Sequence, residues 1–498
     1  MAPPLAQQIS ETRRLNRRYD LSSSLFLTKA WKSLRILVSG HICTRPPKKI
    51  TFCLRHKARF PQNGIYPVKI TTMKKAVSSF TAMATFLAVM ISFSSCEKEP
   101  KNDDKTMRTW NCVPIEMTKT QIELVTGGNT FAFDFFRDMV SRAKGSGVLV
   151  SPFSLQAALS MLANGAEEET YDEIVDALGW EGYTTEEINS LYRKLTGGLQ
   201  NVDEEVSLEI ANSVWIEKNF PVKESFSSTL KDNYDAEAFN VNFSASSTLG
   251  QINGWCSDKT HRMIPKMLDE ISPLTRLMLI NALYFKGTWM DEFNKKKSEN
   301  ESFYADGKKQ KLRFMKDNRP LFGLYSDTFK ICEIPYGGGY FTLDVVLPDE
   351  GTDFDSFVSS LDDEFWAECR SKMRVYDVDF SFPVFSQDYS SEENIIPFLQ
   401  SKGVERAFSS EAAQFGKISD NDLLVSRILQ KTSFKTDEKG SEAAAVTVVD
   451  MRVTSSGPDH EVVVIETPTM TFNADHPFVY IIRESSSGTI LFMGAYKG

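Results

Sequence analysis

The chain has 498 residues, of which 41% are hydrophobic, 25% charged and 11% aromatic; this is the make-up of a globular protein, not of a collagen-like, disordered or disulfide-scaffolded one. The formal net charge of -9 hides a division: residues 1–96 hold 16 Lys and Arg against Glu11 and Asp20, a net of +14, which leaves the remaining 402 residues at -23. A body that acidic repels phosphate backbones, which excludes nucleic-acid binding as a general function.

The basic head changes character at Met73. Lys74 and Lys75 precede an apolar stretch from Phe80 to Phe93 that ends in Ser94-Ser95-Cys96, the order of a bacterial secretory signal. The ending resembles a lipobox, with Cys96 as the residue that receives the lipid, although Phe93 stands where Leu is usual. Residues 76–93 also approach the ~18 residues that span a bilayer, so an uncleaved anchor is an alternative. Residues 1–72 then read as upstream sequence absent from the mature protein, with an Arg-rich mitochondrial transit peptide as the rival. Residues 96–117 begin with the charged run Glu97-Lys-Glu-Pro-Lys-Asn-Asp-Asp-Lys105, which buries too little apolar surface to fold and reads as a tether. The expected location is an exported, lipid-anchored one at the bacterial outer membrane or cell surface.

Beyond the signal only Cys112, Cys256, Cys332 and Cys369 remain, widely spaced and without a C-x-x-C pair, so no zinc, redox or disulfide framework is indicated. His261, His460 and His476 are the only histidines there, and no H-E-x-x-H, G-x-S-x-G, P-loop or dinucleotide glycine motif occurs. No metal and no cofactor is expected. A serine hydrolase lacks both its nucleophile motif and a supply of histidines.

From Thr118 onward helix-period and strand-like stretches alternate. Residues 129–141 place Phe131, Phe135 and Met139 on one helix face. Residues 147–150 form a short buried strand, and Ser151 with Pro152 supplies an N-cap and first turn for a deeply buried helix over 154–164. Strand-like runs follow at 208–217, 277–285, 342–347, 375–382, 461–466 and 478–482. Helices early and strands late predict an α+β fold in one large domain, residues 118–498, because no long linker or repeat divides it.

A set of segments then carries a family resemblance. Val150-Ser-Pro-Phe-Ser154 with Gly165 and Thr170, Ile252-Asn253-x-Trp255, Asn281-Ala-Leu-Tyr-Phe-Lys-Gly-Thr-Trp289, Glu333-Ile-Pro-Tyr336, Phe415-x-x-Ile418-Ser419, Lys435-Thr-Asp-Glu-Lys-Gly-Ser-Glu-Ala-Ala-Ala445, His476-Pro-Phe478 and Ile490-Leu-Phe-Met-Gly494 follow one another in the order of serpin landmarks. Over about residues 118–498 the chain is similar to the serpin family. The resemblance implies three β-sheets with about nine helices and an exposed reactive-centre loop. It also implies a shutter that holds the central sheet closed, made here of Ser151, Ser154, Asn281 and Gln430. Many relatives place a His where this chain has Gln430, and some carry a Lys where it has Val384, so Glu438 needs another partner or remains solvated.

The hinge comprises Glu438, Gly440, Ser441, Glu442, Ala443, Ala444 and Ala445. Taken as a strand, Ser441, Ala443, Ala445, Thr447, Val449 and Met451 share an uncharged face, while Glu442 and Asp450 lie on the other. Such a segment enters a sheet without burying charge. The resemblance therefore implies an inhibitor of serine, and also of cysteine, proteases that works as a suicide substrate and is not itself an enzyme. The competing class is a non-inhibitory serpin acting as a surface binding protein. Counting from Glu438 puts the reactive bond at Thr454–Ser455, with Arg452–Val453 as the alternative; counting back from His476 points near Val463. Elastase-, subtilisin- or trypsin-like proteases are the expected targets, and the protein is expected to be a monomer.

Overall fold

The computed structural model describes residues 112–305, 307–440 and 467–498. The first helix, α1 (Lys119–Arg142), is capped by Thr118 and Gln121 in a reciprocal box. It begins ten residues before the stretch marked by the apolar spacing and takes in Gly127 and Gly128. In the folded chain these glycines are contact points: a Cβ on Gly127 would lie 2.4 Å from the Gly179 carbonyl oxygen. Phe131, Phe135 and Met139 are fully buried, as their spacing predicts.

Strand β1 (Val148–Val150) leads to α2 (Pro152–Ala163), where Ser151 is the N-cap and Pro152 the first helical residue. Nearly every position of α2 is buried, and it packs against β4 and β14. Then come α3 (Glu168–Ala177), α4 (Thr185–Leu199), β2 (Val206–Glu217), α5 (Glu224–Tyr234), β3 (Glu237–Val241), α6 (Ser246–Lys259) and β4 (Leu277–Gly287). The later part holds β5 (Glu299–Ala305), β6 (Lys308–Tyr325), β7 (Phe329–Tyr336), β8 (Phe341–Pro348), α7 (Phe354–Ser359), α8 (Asp363–Lys372), β9 (Arg374–Pro383), β10 (Phe385–Ser390), α9 (Glu392–Ser401), β11 (Lys431–Thr436), β12 (Thr469–Asn473), β13 (Phe478–Glu484) and β14 (Ile490–Tyr496). Nine α-helices and three sheets thus stand among the described residues, the expected α+β architecture.

The largest sheet has nine strands in the order β1-β14-β13-β8-β7-β6-β9-β12, with β5 on β6. Its inner strands β8, β13 and β14 are buried at every position, the pattern of strands covered on both faces. β6, with its many charges and Pro320, has no strand signature in sequence. Its edge opposite β9 is unpaired by the named strands from Met315 to Leu321, so Pro320 interrupts no ladder there. Two smaller sheets, β3-β2-β4 and β10-β11, complete the set. The strand expected at 461–466 lies outside the described residues.

Candidate functional site

β4 and β11 face each other across a slot. β4 pairs only with β2 and β11 only with β10 among the described residues, apart from a single bridge between Thr288 and Gly440. Between them lies a cavity of about 860 Å³ lined by residues 281–286 of β4, 430–437 at β11, and Phe385, Phe492 and Tyr496 beneath. Two strand edges that border one cavity and form no ladder with each other among the described residues are a template for a further strand.

The four residues expected to act as a shutter come together and span this slot. The Gln430 side chain, just before β11, accepts from the Ser151 N–H at 3.1 Å and donates to the Ser151 carbonyl at 2.8 Å. Ser151 Oγ accepts from the Ser154 N–H and donates to the Leu491 carbonyl at 2.8 Å. Ser154 Oγ donates to Asn281 Oδ1 on β4. The amide of Asn281 then donates to Asn212 Oδ1 at 2.7 Å, and Asn212 to the Tyr234 carbonyl at 2.7 Å. One chain of hydrogen bonds therefore runs from the β11 side through the start of α2 to β4, β2 and α5. Asn212 is the member that sequence reading missed; its signal was a lone amide in the middle of an apolar strand, directly opposite Asn281 in register.

At the end of β11 the chain turns sharply. Asp437 and Gly440 exchange backbone hydrogen bonds, and Asp437 Oδ1 accepts from the Lys439 N–H at 2.7 Å. Gly440 has φ +121°, and a Cβ there would lie 2.4 Å from the Gly287 carbonyl oxygen, so only glycine fits. The turn is docked on the end of β4: Trp289 donates its backbone N–H to Lys439 and its indole N–H to Asp437, while Phe293 donates to Glu438. Trp289 itself stacks on Tyr336 with centroids 4.4 Å apart.

Glu438 is not solvated. It is 2% exposed and pairs with Arg313 of β6, Nε to Oε1 at 2.6 Å. Val384 supplies no charge, and the cation comes from β6 instead. Of the remaining candidates, Ser441, Glu442, Ala443, Ala444, Ala445, Arg452, Val453, Thr454, Ser455 and Cys96 lie outside the described residues.

The thiols and imidazoles offer little chemistry. Burial pushes Cys256 up to about 12 and Cys369 up to about 11, which leaves both as inert thiols. Of the described histidines, His261 meets Glu209, and His476 meets Asp475 through Nδ1 at 2.8 Å and the Pro348 carbonyl through Nε2 at 2.7 Å. Burial opposes the charge on His476, but the two hydrogen bonds, with the Asp475 and Glu350 charges, outweigh it and raise its pKa.

The sequence model of the family described as Serpin (serine protease inhibitor) matches residues 126–497. The leukocyte elastase inhibitor of Bos taurus is 29% identical over 391 residues, covering 75% of this chain and 99% of that one. A solved structure of a thermophilic serpin, tengpin, in the native state is similar at 29% identity and TM-score 0.66, over 78% of this chain and 96% of that one. Human thyroxine-binding globulin complexed with thyroxine matches at 25% identity and TM-score 0.67, over 76% and 99%.

Proposed function

Since this chain belongs to the serpin family, we propose that it inhibits proteases as a suicide substrate. A target protease attacks the loop at Thr454–Ser455, and the freed segment from Ser441 enters the slot between β4 and β11 as a new strand. The observation that carries this reading is the slot itself, bordered by two strand edges without ladder partners among the described residues and closed at one end by the Gly440 turn that begins the loop. Fourteen residues from Ser441 to Thr454 extend about 46 Å at ~3.3 Å each. The uncharged face they present suits the apolar floor of Phe385 and Phe492. The small side chain of Thr454 fits shallow elastase- or subtilisin-like pockets, and Arg452 would suit a trypsin-like one. Mass spectrometry of the released C-terminal peptide separates them: a peptide starting at Ser455 supports the main bond, one at Val453 makes Arg452 the bait, and one starting beyond His460 refutes the count from Glu438.

A second reading, a non-inhibitory serpin that binds a ligand, is kept in view by the likeness to thyroxine-binding globulin. Loss of covalent complexes with every protease tried, together with no gain in heat stability on loop cleavage, would select it. The chain would act as a monomer, made of an upstream basic segment over 1–72 that is absent from the mature protein, a lipoprotein signal peptide over 73–95, a tether over 96–117 and the serpin domain over 118–498. Lipid on Cys96 would hold it at the bacterial outer membrane or cell surface. Palmitate labelling that vanishes in Cys96→Ser, with release from the membrane fraction, is the expected result; persistent labelling would remove Cys96 from the account.

A further inference from the structure

Resting on the insertion reading above, we infer that His261 is a positioning residue that ties the connection after α6 across the slot and makes strand insertion pH-dependent. Residues 260–264 and Met267 line the slot together with β4 and β11. The connection is fixed to its own helix by Asn253, whose Oδ1 accepts from the N–H groups of Met267 and Leu268 at 2.8 Å each. On one side of the slot His261 Nε2 meets Glu209 Oε1 of β2 at 2.7 Å, and its ring lies 4.4 Å from that of Tyr284 on β4. On the other side Lys431 of β11 donates to the Lys266 carbonyl at 3.1 Å. A strand that parts β4 from β11 must release one of these two ties.

The backbone marks the same place. His261 and Arg262 both sit in the left-handed region, at φ 47° and 67°, a conformation that non-glycine residues hold only when surrounding contacts enforce it. Glu209 and Tyr284 are direct cross-strand neighbours, so the imidazole covers the pair. The charged and titratable groups around it are Glu209 of β2, which it meets directly, Asp203, Glu204 and Glu205 before β2 with Tyr284 and Lys286 on β4, which share a cavity of about 640 Å³ with it, and Arg262, Asp388, Lys431, Lys435 and Asp437, which line the slot with it. A histidine changes charge between about pH 5 and 8. The imidazolium makes a charge-assisted bond to Glu209 and a cation–π contact with Tyr284; the neutral ring loses both reinforcements. Gln430 leaves the shutter without an imidazole, and His261 places one on the wall of the same slot.

The test uses the full-length chain and a synthetic peptide matching residues 441–454, with the incorporation rate followed from about pH 5.5 to about 8.5. Incorporation into the wild type slows about three- to five-fold toward acid, the scale of a half-exposed ion pair, while His261→Gln and Glu209→Gln give flat profiles and His476→Gln keeps the wild-type one. Glu209→Gln probes the same tie from β2 should His261→Gln fold poorly. A His261→Gln or Glu209→Gln profile that overlays the wild type overturns the role of His261 and leaves insertion standing. Absence of incorporation at every pH, with no covalent protease complex, overturns insertion and this inference together.

Discussion

Replacing Ser154 by Ala removes the bond that joins the start of α2 to β4 across the slot. The hydroxyl donates to Asn281 Oδ1, and Ser154 is 8% exposed, so the variant loses one hydrogen bond and leaves the half-buried Asn281 acceptor without it, a cost of about 1–3 kcal/mol. Over the ~380 residues of the folded domain, at ~2.1 cal/mol/K per residue, this lowers the melting temperature of the native form by about 1–4 °C. The same energy no longer opposes separation of β4 from β11, so peptide incorporation should accelerate by about 5- to 150-fold. Melting curves and incorporation rates on Ser154→Ala, Asn281→Ala and the double variant test this, with the two single effects expected to be non-additive. A fall in melting temperature with an unchanged incorporation rate would refute the reasoning, because Ser154–Asn281 would then stabilise the fold without holding the slot closed.

Ser441→Arg or Ala443→Pro should turn the inhibitor into a substrate, since Arg forces a charge into the sheet and Pro removes a ladder donor; an unchanged stoichiometry of inhibition on a protease titration contradicts insertion. Arg313→Met strips the buried Glu438 of its cation, and because Arg313 is itself 46% exposed the expected cost is about 1–2 kcal/mol, read by thermal melts, with Glu438→Gln in the same background recovering part of it. His476 has a raised pKa in the folded chain, so its stabilisation is complete below about pH 6.5 and is lost as pH rises through the folded value. The stability gap between wild type and His476→Gln should therefore shrink toward alkaline pH, and a gap that widens refutes the assignment.

Helix α2 was legible because its start signals and its all-round apolar content agree: Ser151 caps, Pro152 opens, and the helix is buried as such a pattern demands. Strands β4, β8, β9 and β13 were legible for the same reason of continuous or alternating apolar residues. β6, β10 and β11 were not, because Lys, Asp, Ser and Gln fill their solvent-facing positions and tertiary pairing overrides weak propensity. At the site, the family landmarks located Ser151, Ser154, Asn281 and Gln430, but nothing local in the sequence could place Arg313 against Glu438, 125 positions away. Register supplied that contact: Val384 follows β9, whose last residue Pro383 pairs with Phe314, and its N–H bonds to the Arg313 carbonyl at 2.7 Å.

The most direct measurement is incubation of the purified chain with a panel of elastase-, subtilisin- and trypsin-like proteases, followed by denaturing electrophoresis and by melting of the loop-cleaved product. Insertion of a strand adding about ten ladder hydrogen bonds at ~1 kcal/mol each gives two linked results: a covalent complex that survives denaturation, and a cleaved form that melts about 12 °C above the native one. Cleavage of the loop with no covalent complex and no change in melting temperature would contradict insertion between β4 and β11.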